Sequence, residues 1–141
     1  MRIALTIVLA YSLVAACSAF GAAADATTCG VAGSLSAAKT LVEGAAAKDA
    51  SGDKASARQL ASEAAALAKQ GHDVLQTITS SDVRQGGTWQ ALLRAYLHIG
   101  QAANALLPAY ASTYGITDEE LATASEQLRV AQAGLPARCF V

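Results

Sequence analysis

The sequence predicts an all-α protein, an antiparallel up-down four-helix bundle, on three observations. Hydrophobic residues make up 53% of the 141 residues and aromatics only 5%, so the apolar fraction is mostly alanine, the best helix former and a poor strand former. Only two prolines interrupt the chain. Four long segments also repeat apolar side chains at helical spacing. One domain is the default at this length.

Met1 to Ala24 reads as a secretory leader. Arg2 supplies the positive start, Ile3 to Ala16 the apolar run, and Ala22-Ala23-Ala24 the small residues before Asp25. The mature domain is then 25–141, exported to the periplasm or the extracellular space. A second reading competes, because Leu13-Val14-Ala15-Ala16-Cys17-Ser18 resembles the lipobox of bacterial lipoproteins. That resemblance implies a signal of residues 1–16 and a lipid on Cys17, which would anchor the protein to a membrane.

After Cys29, the residues Val31, Leu35, Ala38, Leu41, Val42, Ala45 and Ala46 keep helical phase to about Lys48. Asp49 to Gly52 offers turn chemistry, and Asp53 can cap a second helix. In that helix Ala57, Leu60, Ala61, Ala64, Leu67, Ala68, Gly71, Leu75 and Ile78 stay in phase, so Gly71 marks a bend or a close helix contact rather than an end. Ser80 to Gly87, SSDVRQGG, predicts a loop.

Thr88 to Ala111 is the apolar centre of the chain. Stepping about 100° per residue places Trp89, Leu92, Leu93, Ile99, Gly100, Ala103, Leu107 and Tyr110 on one face centred on Tyr96, with Leu97 and Leu106 just beyond. Pro108 cannot donate to the carbonyl of Asn104, which predicts a kink or loosening there. The last helix has a capping box, Thr117 with Glu120, and a hydrophobic staple, Ile116 with Leu121. At its far end Gly134 is expected in the left-handed C′ position, with Leu135 folded onto Val130 and Pro136 blocking continuation.

Once Cys17 is removed or lipidated, only Cys29 and Cys139 remain in the domain. They predict one disulfide joining the two ends of the mature chain, and ends that meet in an antiparallel bundle require an even number of helices.

Formal net charge is −1, or −2 once Arg2 leaves with the leader, from nine Lys and Arg against eleven Asp and Glu. The cations are scattered among acids, so no nucleic-acid footprint emerges. His72 and His98 lie at similar distances from the Ser80–Gly87 loop but on different helix faces, so no shared metal or haem site is expected. The acidic turn Asp118-Glu119-Glu120 reads as dipole compensation. No catalytic motif appears, and neither an enzyme nor a cofactor or metal is expected.

Two functional readings follow. In the first, this is a non-catalytic exported protein acting through its surface, as a partner-binding or structural accessory for a protein partner whose identity the sequence does not name. In the second, a small apolar ligand sits between helices near Pro108, against Trp89, Tyr96, Leu107 and Tyr110, in a cavity of at least about 300 Å³.

Overall fold

The computed structural model describes residues 19–107 and 117–135, with side chains from Thr27 onward. All regular structure among them is helical: α1 Ala19–Ala50, α2 Lys54–Gln76, α3 Ser81–Gln85, α4 Gly87–Ala105 and α5 Thr117–Ala133. α1 starts upstream of the 24/25 boundary expected for the leader. Cys17, Pro108, Tyr110, Ile116, Pro136 and Cys139 lie outside the described residues.

α1 ends in a Schellman motif. Gly52 takes a positive φ of 87°, its N–H donates to the Asp49 carbonyl at 3.1 Å, and the Asp53 N–H donates to the Lys48 carbonyl at 3.0 Å. The next residue starts α2, since the Asp53 carboxylate accepts the Ser56 N–H at 3.1 Å, the N-cap role expected of it. That hydrogen bond holds the Asp53 carboxyl below the ordinary carboxylate range. Asp53→Ala should lower the melting temperature by roughly 3–6 °C at neutral pH. A depressed carboxyl stabilises the fold above its unfolded pKa and loses that effect as pH falls through its folded pKa. The gap between wild type and variant, read by circular dichroism melts, should therefore close as pH drops from about 5 towards 2. A gap that persists undiminished at the acid end would exclude capping as its source.

Contacts between helices fix their directions. Near the α1–α2 turn Gly44 faces Leu60, and far from it Gly71 packs on Leu35 and Ser34, each with room for no more than a methyl group. The two helices are therefore antiparallel, and Gly71 marks a close contact. α4 meets α2 through Trp89 on Leu75 and Tyr96 on His72, and α5 through His98 on Glu120 and Thr88 on Gly134. Both pairs run antiparallel. α1 packs on α4 and more sparsely on α5.

The core is an alanine core with a few large side chains. Ala38, Ala64, Ala95 and Ala124, one on each long helix, are fully buried, beside Leu35, Leu75, Leu92 and Ile99. Alanine at facing positions lets backbones approach closely, with small apolar area gained per contact at about 25 cal/mol per Å².

Four local expectations need correction. Ser80–Gly87 contains the short helix α3, capped by the Ser80 hydroxyl on the Val83 N–H. α4 buries Trp89, Ala91, Leu92, Ala95, Ile99, Ala102 and Ala103, a face rotated by about 60° from one centred on Tyr96; Tyr96 and Leu93 are half-buried and Leu97 is exposed. The bulky residues misled because neighbouring helices pack against the alanines. α4 also stops at Ala105 rather than continuing to Ala111. The Asn104 carbonyl, which Pro108 cannot serve, takes the Leu107 N–H at 3.0 Å instead. Finally, Gly134 has no positive φ. It closes α5 with tight bonds from Gly134 N–H to the Ala131 carbonyl and Leu135 N–H to the Gln132 carbonyl.

Candidate functional site

The residues singled out in the sequence occupy separate places. Trp89 is buried at one end of the molecule, Tyr96 stands half-buried on the rim, and Leu107 is half-buried just past α4. Tyr110 lies outside the described residues. Among the described residues, Trp89 borders one recess and Tyr96 another.

Trp89 belongs to a corner that the sequence did not disclose. Its indole N–H donates to the Leu75 carbonyl at 3.3 Å, and the Arg84 guanidinium lies 5.5 Å above the ring. Arg84 also donates to the carbonyls of Ile78 and of Gln76, the latter at 2.9 Å, while the Gln90 amide donates to the Arg84 carbonyl at 2.8 Å. Arg84 thus caps the carbonyl end of α2, where unpaired acceptors and the helix dipole both favour a cation. A basic residue in a loop after a helix was the available signal, but its reach back to those carbonyls depends on α3.

Beside this corner lies a recess of about 210 Å³, whose lining includes Thr28, Val83, Trp89, Gly134 and Leu135. A methyl group on Gly134 would fall 1.9 Å from the Thr88 hydroxyl and 3.3 Å from its Cβ. Gly134 is therefore required for the close approach of α5 to α4, not for a left-handed cap. Leu135 borders this recess and packs against the core, and Val130, its expected partner, is exposed.

The flanks of α4 carry the two histidines. His72 of α2 stacks on Tyr96, with ring centroids 4.2 Å apart and planes inclined by 20°. His98 binds the Glu120 carboxylate through Nδ1 at 2.5 Å, and the Gln101 side-chain amide lies 2.9 Å from the same carboxylate oxygen, as its donor. Glu120 was expected to reach back to its own helix start. It points across to α4, because a carboxylate placed between His98 and Gln101 gains two donors. Each histidine has its own partner, and no group of three His, Cys, Asp or Glu gathers among the described residues.

Between these flanks the outer ridge of α4 faces solvent. Leu97 stands at its centre, 49% exposed. Gly100 leaves a notch of about 240 Å³ bordered by Tyr96, Leu97, Gln101 and Asn104, and a methyl group added there would meet nothing within 4 Å. A third hollow, between α1 and α5, holds Lys39 and Arg129 among hydroxyl groups. Both cations are already paired on their own helices, with Glu43 and Glu126. The Arg129 hydrogen bond holds the Glu126 carboxyl below its ordinary range, so that hollow carries no surplus charge.

Cys29 lies on α1, and Cys139, its expected disulfide partner, lies outside the described residues. No helix of the described residues is long and apolar enough to cross a membrane. No protein family, curated protein or solved structure matches this chain.

Proposed function

We propose that this is an exported, non-catalytic protein, a four-helix antiparallel bundle closed by a Cys29–Cys139 disulfide, that works through its surface as a partner-binding or structural accessory. The observation that carries this reading is the alanine core. With Ala38, Ala64, Ala95 and Ala124 fully buried on the four long helices, backbones lie too close for a ligand to lodge among them. What the molecule recognises is then met on its outer faces.

Export is supported by the leader pattern of residues 1–24 and by the pair Cys29 and Cys139 that remains in the mature domain, since two cysteines form a lasting disulfide in oxidising compartments. The pairing with Cys139 is supported by position. Thr28, adjacent to Cys29, lines the same recess as Leu135, which precedes Cys139 by four residues. Four residues span at most about 14 Å, a length of chain sufficient for the proposed bridge to close beside the recess.

An intact mass, native and denatured, on protein recovered from the membrane and soluble fractions of its own cell tests the proposal. A chain that starts at Asp25, is lighter by two hydrogens and retains nothing is the expected result. A chain that starts at a lipid-modified Cys17 would place the same surface-acting domain on a membrane. A small molecule held under native conditions only would replace this reading with the carrier of an apolar ligand.

A further inference from the structure

The outer ridge of α4 carries a knob and a hole on one face. Leu97 projects from the centre of the ridge, about opposite the buried face of the helix, and it is the most exposed of the large hydrophobic side chains described. Three residues on, the open notch at Gly100 has room for an aliphatic side chain. Scattered single apolar residues need no explanation, but a knob with its own socket one turn away is a self-complementary pattern.

Charge on the same face follows the same symmetry. Arg94 lies one turn before Leu97 and is exposed, with no ion pair among the described residues. Beyond Leu97, the first turn of α5 is held against α4 by Glu120 on His98 and Gln101. That turn also carries Asp118 and Glu119, exposed and likewise without an ion pair. The ridge is thus basic on one side of its apolar centre and acidic on the other.

We infer that this face binds a second copy of the same chain, α4 against α4 in opposite directions about a two-fold axis. Leu97 of each copy enters the Gly100 notch of the other, and Arg94 of each meets the acidic first turn of α5 of the other. An isologous contact demands that the same patch supply both halves of every interaction, and this patch does. The ridge is small beside a standard interface, so the dimer is a weak one that forms in the micromolar range or above. The inference rests on the surface-acting reading and names one partner for it.

Sedimentation velocity on the mature protein, from about 5 to 500 µM, reads the result. The wild type should shift from monomer towards dimer across that range. Leu97→Glu and Gly100→Leu should each weaken association at least tenfold, with the fold intact. The melting temperature stays unchanged for Leu97→Glu, which faces solvent, and is unchanged or raised for Gly100→Leu, where leucine replaces a glycine inside α4. Arg94→Glu should weaken it similarly, more at low salt than at high, and Arg94→Glu combined with Glu119→Lys and Asp118→Lys should restore it. A wild type that stays monomeric at the top concentration, or a dimer indifferent to Leu97→Glu, would overturn the inference. A monomer that retains no small molecule leaves the surface-acting reading standing, whereas a retained molecule removes that reading itself.

Discussion

Cys139→Ser is expected to lower the unfolding midpoint more than any other single change near the chain ends, by roughly 15–20 °C. The disulfide proposed between Cys29 and Cys139 closes a loop of about 110 residues, and in the chain-entropy model a loop of that size contributes about 4–5 kcal/mol by restricting the unfolded chain. Native domains of this size are stable by only about 5–15 kcal/mol, so the bridge is a large share of the total. The alanine core makes the share larger, because each buried Ala38 or Ala64 contact gains little area. Cys29→Ser should give the same loss, the double variant no further loss, and Cys17→Ser none. If the Cys139→Ser midpoint matches wild type while Cys29→Ser falls, the pairing is wrong.

What the sequence disclosed about this fold depended on whether the signal was local. Asp53 was legible as an N-cap because capping involves a side chain and a backbone group three residues away, here the Ser56 N–H. The inward residues of α1 and α2 were legible because alanine, leucine and valine keep a 3.6-residue period along each. Glu120 failed as a capping-box partner because His98 and Gln101, distant in sequence, outbid the local N–H. Gly134 failed as a left-handed cap because its absent side chain serves a neighbour, Thr88, on another helix. The 60° error in the face of α4 has a similar origin. Weighting bulky residues put Tyr96 at the centre, whereas close packing selected Ala95 and Ala102.

The candidate surface was hidden for the same reason. Leu97 read as a flank of the apolar face, and only the rotation of α4 shows it to be the centre of the outer ridge. Gly100 read as one more apolar-face position, yet its use as a notch depends on Tyr96 being held aside by His72. No single-chain periodicity carries that information, because a rim and a core edge look alike at helical spacing.

Trp89→Ala should be the most damaging substitution within the body of the molecule, at about 3–5 kcal/mol. Trp89 is nearly fully buried, fills the corner between α2, α3 and α4, and donates to the Leu75 carbonyl. Trp89→Phe separates the causes. It keeps most of the buried area, loses the indole N–H and should cost only about 1–2 kcal/mol, since the Leu75 carbonyl still accepts the Ile78 N–H. Arg84→Ala should cost about 1–2 kcal/mol, because water replaces part of what the guanidinium gives the exposed end of α2. Arg84→Lys should recover little of it, since an ammonium cannot reach two carbonyls and lie flat on an indole at once. In a double-mutant cycle, the coupling between positions 84 and 89 should be about 0.5–1 kcal/mol, the size of a partly exposed cation–π contact. Urea unfolding followed by circular dichroism measures all of these. A Trp89→Ala loss near 1 kcal/mol would mean that the corner opens before the rest of the fold, leaving α1, the body of α2 and α5 as the cooperative unit.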